Sequence, residues 1–323
     1  MTTYKEIFGK YVKNYSSDPT ADIEGQVWYN TTSGTFKSEV LVAAAWASGG
    51  NMTTARRTLG GAGTQTASVG FGSNIATEKY DGSTWTNSGN MNTSRAQVNG
   101  CGTQTSALAV SGRLAPGFTT LTGATEEFNG SSWSSNPTGL NTARDFGSLA
   151  GIQTASIYFG GATVYTGSPL SAATESYDGS AWTSVNSLNT ARRGLGGAGT
   201  QTAGLAFGGL DPGNTSATEL WNGTSWTSNP TGLGTARYSV QGAGTQTAAI
   251  GITGNPTGTE LFNGTSWSAT ADVATSRIYS AAGTNSPNTA SIVFGGATPG
   301  FTNLTATEEF TGATLTVKTI TTS

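Results

Sequence analysis

No histidine occurs anywhere in the 323 residues, and cysteine occurs once, at Cys101. The first absence removes most zinc sites, the Ser–His and Cys–His nucleophile pairs and imidazole acid–base chemistry. The second removes any disulfide framework. Charge is scarce too: 10% of the residues are Asp, Glu, Lys or Arg, and the formal net charge is -3. Composition therefore offers no electrostatic case for nucleic acid or for an anionic membrane surface. No apolar run is long enough to span a membrane, and Met1–Glu6 opens no signal segment. Carboxylate or lysine catalysis stays open, as does no catalysis at all.

What fills the chain instead is Gly, Thr, Ser and Ala, punctuated by eight Trp. The aromatics argue against disorder, and they recur in a fixed order. A Glu is followed two residues later by an aromatic, then by an Asp-Gly or Asn-Gly turn, a Trp and an Arg. The order runs Glu78-Tyr80-Trp85-Arg95, Glu126-Phe128-Trp133-Arg144, Glu175-Tyr177-Trp182-Arg192, Glu219-Trp221-Trp226-Arg237 and Glu260-Phe262-Trp267-Arg277. A truncated copy supplies Trp46 and Arg56, and a decayed one has Glu308 and Phe310 with Leu315 in the Trp position.

Each unit divides into four short strands, and no segment keeps a period of 3.6. The first strand follows the Arg and is built from small residues, as in Leu59–Gly63; the second is apolar and often ends in Gly, as in Ser156–Gly161. The third carries the Glu and the aromatic, and the fourth starts at the Trp. Asp-Gly and Asn-Gly are strong hairpin signals, which also accounts for the glycosylation-type triplets at Asn129, Asn222 and Asn263. Four-stranded units at this period suggest propeller blades, with small residues on crowded inner strands. Cys101 falls in register with Ala62, Ala150, Ala198 and Ala243, so it is expected as a buried inner-strand residue.

Taken together, the Gly-Gly closing the second strand, the aromatic, the Trp and the Arg resemble the kelch repeat across residues 46–315. Val110-Ser111-Gly112 and Ile252-Thr253-Gly254 depart from the double Gly. The resemblance implies a β-propeller, usually a binding scaffold and occasionally a copper oxidase, whose site needs the His this chain lacks. The expected fold is all-β: a six-bladed kelch-like β-propeller over residues 41–323, preceded by a short extension, 1–40, containing a β-hairpin. Closure is expected from the segment near 40–46, joining the last blade beside or in place of Thr314–Thr319.

In the extension, Gly25–Lys37 forms the expected hairpin around Asn30–Gly34. It resembles a short motif common near the N-termini of phage tail-fibre and other virion proteins. That resemblance implies docking on a particle, with Tyr4, Lys5, Trp28 and Tyr29 as docking candidates.

A residue that recurs once per unit belongs to the unit's construction. The repeated Glu, Trp and Arg are therefore expected to hold the blades together, each Glu pairing with an Arg or with backbone amides. Irregularity is more informative. The connection from second to third strand is short at Ser73–Ile75 and Asn255–Thr257 but long and individual in the other four units. Loops on a rigid scaffold carry recognition. The candidates there are Arg113, Phe118, Tyr165, Asp211 and Phe301, the aromatics suited to stacking on a sugar or anchoring a protein contact.

The resulting expectation is a non-enzymatic viral structural protein assembled in the host cytoplasm and exposed on the virion. Residues 1–40 dock on other virion proteins, and the propeller meets a host-surface glycan or protein, singly or as a homo-oligomer. No cofactor, metal, nucleic acid or membrane insertion is expected. A carbohydrate-active enzyme is the rival, needing two acids across a cleft. Outside the repeat the candidates are Glu127, Asp145, Asp211, Asp272 and Glu309, none singled out by spacing. A cellular kelch-type interaction scaffold is the third reading.

Overall fold

The structure, a computed structural model, describes residues 12–19, 25–166, 169–254 and 258–320. It is all-β, with no helix among the described residues. The chain divides into two compact units, residues 46–311 and residues 1–45 with 312–323.

In the larger unit six four-stranded antiparallel sheets follow one another. The first comprises Leu59–Thr64, Ala67–Gly72, Thr77–Tyr80 and Trp85–Asn87. The second has Asn99–Thr103, Ser106–Val110, Thr125–Phe128 and Trp133–Asn136. The third starts at Ser148–Ile152, the fourth at Gly196–Gly199, the fifth at Gln241–Thr245 and the sixth at Ala281–Ala282. The first strand of each sheet lies against those of the sheets before and after it, and the sixth lies against the first. The series closes on itself, and the arrangement is propeller-like.

Glycine on the inner strands is a steric requirement. A Cβ at Gly61 would stand 2.4 Å from the Ala282 carbonyl oxygen, one at Gly100 2.5 Å from that of Gly61, and one at Gly242 2.1 Å from that of Gly197. Cys101 shares this crowded wall, fully buried, and burial pushes its thiol up to about 12. The Gly-Gly after the second strand serves another need, two consecutive left-handed residues. Gly160 and Gly161 have φ of 70° and 109°. Ser111 and Thr253 occupy the first of these positions at φ 65° and 60°, so the departures from double Gly keep the turn at the cost of strain.

Between sheets, the repeated residues form three kinds of link. Six buried ion pairs join Arg56–Glu78, Arg95–Glu126, Arg144–Glu175, Arg192–Glu219, Arg237–Glu260 and Arg277–Glu308, at 2.5–3.0 Å. The second oxygen of each Glu accepts a backbone N–H from the linker that leads into its own sheet, such as Asn92 to Glu126 and Asn141 to Glu175. Each Trp from Trp85 to Trp267 that starts a fourth strand donates its indole N–H to a Thr hydroxyl on the preceding sheet. Trp133 reaches Thr77, and Trp182 reaches Thr125, both at 2.9 Å. The third link was not apparent in the sequence. The Gln of each Thr-Gln-Thr turn, and Gln153 in the same place, donates to the preceding sheet; Gln246 donates to the Gly204 and Trp221 carbonyls.

Of the two closures left open by the sequence, the structure has Ala45–Ser48 as the fourth strand of the sixth sheet, in place of Thr314–Thr319. Trp46 takes the position assigned to Leu315, its ring 5.2 Å from Phe310, as Trp133 lies 4.9 Å from Phe128. Its indole N–H goes to the Ala271 carbonyl at 2.9 Å, and the Thr259 hydroxyl, counterpart of Thr77, is left buried without a partner.

The smaller unit is a sheet of Lys13–Tyr15, Val27–Asn30, Thr35–Val42 and Thr314–Thr319 in that order. The C-terminal strand therefore groups with the N-terminal segment, and the division at 40/41 is corrected: residues 41–45 and 312–323 belong here. The physical reason is the antiparallel register of Val42↔Thr314 through Lys37↔Thr319, which satisfies both backbones. The hairpin lies where the sequence puts it, between Val27–Asn30 and Thr35–Val42. Asp18 organises its base, accepting from Lys37 Nζ, Asn30 Nδ2 and Trp28 Nε1 at 2.8, 2.8 and 3.2 Å. Those bonds, Lys37's first, hold its carboxyl below the usual range.

Candidate functional site

In the larger unit, the turns with Thr-Gln-Thr and with Asp-Gly or Asn-Gly occupy one end of the sheets. The linkers into each first strand and the second-to-third connections meet at the other, bridged at Asp145↔Ala162, Arg193↔Leu210 and Ile278↔Ala297. The candidate site is built at this second end, in three steps.

The first is a collar. Two residues beyond each repeated Arg stand Thr58, Gln97, Phe146, Gly194, Ser239 and Tyr279, all left-handed, with φ between 53° and 62°. Their backbones bond directly at four of the six junctions between sheets. Gln97 N donates to Thr58 O, Gly194 N to Phe146 O, Ser239 N to Gly194 O, and Thr58 N back to Tyr279 O, at 2.6–2.8 Å. Tyr279 N completes the contact with Ser239 through the Ser239 hydroxyl at 2.8 Å. Holding five non-glycine residues at positive φ is costly in an isolated chain, and these bonds help to hold them there. All six collar residues line the central space.

The second is an aromatic floor. Phe146 and Tyr279 lie with ring centroids 5.9 Å apart, and Phe301 stacks on Tyr279 at 6.5 Å. Below the collar, among the inner strands, the space narrows to about 80 Å³. Above it a cavity of about 390 Å³ opens, whose wall includes Gln97, Arg113, Phe118, Tyr165 and Phe301. A side recess of about 120 Å³ lies between Arg193, Tyr238 and Tyr279.

The third is charge. Arg57, Arg113 and Arg193 take no part in the six ion pairs of the sheets. Arg57 donates to the Phe301 carbonyl at 2.7 Å and lies 5.6 Å from that ring's centroid. Arg113 donates Nε to Asp145 Oδ2 and Nη2 to the Tyr165 carbonyl. Its guanidinium stands over two rings, Phe146 at 5.1 Å and Tyr165 at 4.7 Å. Arg193 covers Phe146 at 5.5 Å, and its guanidinium donates no hydrogen bond among the described residues. Asp145 is fully buried and Oδ1 has no partner; burial raises its pKa, against the pull of Arg113. Arg57, Arg113 and Arg193 share this end with Asp145 and with Asp211 of the hairpin that Arg193 bridges, an excess of one positive charge among these five residues.

Of the loop residues singled out from sequence, Arg113, Phe118, Tyr165 and Phe301 converge on the one cavity. Asp211 does not; it lies exposed in the short hairpin Leu210–Asn214. Arg57, Phe146, Arg193, Tyr238 and Tyr279 were missed, and Asp145 was singled out only as a candidate acid. The signal was present: the two residues after each repeated Arg change from unit to unit, whereas their neighbours repeat. Among the docking candidates, Tyr4 and Lys5 lie outside the described residues, as does the short connection 255–257. Trp28 is buried and bonded to Asp18, and Tyr29 packs on Phe36 at 5.1 Å, so Trp28 is a core residue of its sheet.

The other isolated acids are occupied structurally. Glu127 and Glu309 accept the Tyr177 and Tyr80 hydroxyls at 2.5 Å, pushing the Tyr80 phenol up to about 12 by burial and by that bond. Asp272 accepts the Thr259 N–H at 2.7 Å. Among the described residues no group of three His, Cys, Asp or Glu is placed to hold a metal, and no helix is long and apolar enough to cross a membrane.

No family model and no curated protein matches the chain. A solved structure described as "Structure of YjhT" matches with a TM-score of 0.69 at 14% identity, over 82% of this chain and 99% of its own. At that identity the likeness shows the fold alone. Fold and neighbour together define an all-β, β-propeller-like protein.

Proposed function

We propose that this chain is a six-bladed kelch-type propeller acting as a non-enzymatic recognition module on a viral particle. In this reading the smaller unit docks on other virion proteins, and the collar end of the larger unit binds a host-surface ligand. The observation that carries it is convergence: Arg113, Phe118, Tyr165 and Phe301, from three uneven loops, share one cavity with Arg57 and the collar residues Thr58, Gln97, Phe146 and Tyr279. A concave wall that combines aromatic rings with a few directed polar groups is the mark of a binding site. The docking half rests on the hairpin's resemblance to virion N-terminal motifs.

Carboxylate catalysis is less well supported. A glycosidase needs two acids across a cleft; Asp145 is tied to Arg113, and Asp211 lies exposed in its hairpin, outside the lining of the cavity. The test is detection of the chain in purified particles, followed by host adsorption of particles bearing Phe118→Ala with Tyr165→Ala. Absence from particles overturns the docking half. Adsorption unchanged at normal occupancy overturns the recognition half.

A further inference from the structure

We propose that the cavity above the collar takes an acidic saccharide, a pyranose bearing a carboxylate or a sulfate. The inference rests on the recognition reading above and narrows it to one ligand chemistry.

Shape argues first. The cavity is recessed inside the ring of sheets, with the collar beneath and about 390 Å³ of space. A protein partner meets a standard interface over roughly 800 Å² of each surface, which a recess of this size does not present. One or two sugar rings fit. Aromatic surface comes second. Phe146 lies under Arg113 and Arg193, but Tyr165 and Phe301, 48% and 56% exposed, line the cavity with aromatic surface on which the apolar C–H face of a pyranose packs. A simple inorganic anion would have no use for that surface.

Charge decides the class. Arg57 and Arg113 line the cavity, from the linker into the first sheet and a loop of the second, while Arg193, on the linker into the fourth, lines the side recess. Asp145 pairs with Arg113 alone. Arg57 is the most telling: a guanidinium carries five N–H donors in a planar fork, and among the described residues it makes one bond, to the Phe301 carbonyl. It is held by that bond and by its contact with the Phe301 ring, 5.6 Å away. A carboxylate or sulfate is the geometric complement of that fork. The scarcity of charge elsewhere in the chain makes two arginines at one opening a local feature, not a general basic surface.

The experiment is a glycan array probed with the full-length chain, presenting neutral pyranosides beside the corresponding uronates and sulfated forms. A nucleoside monophosphate serves as a separate soluble competitor. Binding is expected on acidic spots and not on their neutral counterparts, and it should weaken as salt rises. Arg57→Gln and Arg57→Ala should each weaken it by about 10-fold or more, the scale of one charge-assisted hydrogen bond. Asp211→Ala, outside the cavity, should leave it unchanged. Uronate against sulfate spots tells the two acidic sources apart.

Equal binding of neutral and acidic sugars overturns the proposal, as does preference for the nucleotide or no binding to any spot. So do arginine variants that melt like the parent and bind like it. The array uses purified protein alone. A chain missing from particles but selective for acidic sugars would sink the virion reading and leave this inference standing.

Discussion

The two ends of the sheet ring follow opposite rules. At the turn end nearly every unit does the same thing: Asp81, Asn129, Asp178, Asn222 and Asn263 each cap their own turn, accepting backbone N–H bonds from two and three residues on. The Gln beside them staples each sheet to the last. At the collar end the backbone repeats while the side chains do not. Thr58, Gln97, Phe146, Gly194, Ser239 and Tyr279 share one conformation, with bonds at five of their six junctions, yet no two are the same residue. A repeat thus supplies a rigid frame, and its chemical individuality is confined to positions the frame does not need.

This contrast can be broken or sharpened by substitution. The largest effect is expected at the buried ion pairs. Glu175→Ala leaves Arg144 buried without its carboxylate, with a loss of about 3–5 kcal/mol measured by chemical denaturation. A loss below about 1 kcal/mol would mean that the pairs do not hold the sheets. A middle effect is expected at the staples. Gln246→Ala removes two bonds to the fourth sheet and should cost about 1–2 kcal/mol, on the scale of two ordinary hydrogen bonds.

Acid should act on the turn end and on the small sheet. Asp81, bonded by the Thr84 N–H, and Asp178, bonded by the Ala181 N–H, have carboxyls held below the ordinary value of 3.8. Asp18 is held below it chiefly by Lys37. A depressed folded pKa contributes stability that is present above pH 3.8 and lost as pH falls through the lower folded value. A melting-temperature profile should therefore decline below about pH 4. Asn at 81 and 178, the residue three other units already use, should flatten that decline. The smallest effect on stability is expected at the collar end: Phe118→Ala and Tyr165→Ala should each stay within about 0.5 kcal/mol of the parent.

Much of the frame was legible because a repeat tests itself. The Glu-aromatic-Trp-Arg order gave the strands, the hairpins and the buried pairing, since five independent copies agreed. Closure was only half legible. Spacing alone put Leu315 in the Trp position, but the Phe310 ring is met by Trp46, whose own strand lies far away in sequence. Thr314–Thr319 was free to pair with Thr35–Val42 instead. The site was legible where it departs from the repeat in length, at Arg113, Phe118, Tyr165 and Phe301. It was hidden where it departs only in identity, because Arg57, Phe146, Arg193 and Tyr279 stand beside the most regular residue of the unit.

The central claim is that the collar end recognises and the rest of the ring builds. It is tested most directly by competition: purified chain added to host cells before the particles, with the Phe118→Ala, Tyr165→Ala double variant alongside. The account predicts that the parent chain reduces particle adsorption and that the equally stable double variant does not. Equal blocking by both, or by neither, would contradict it.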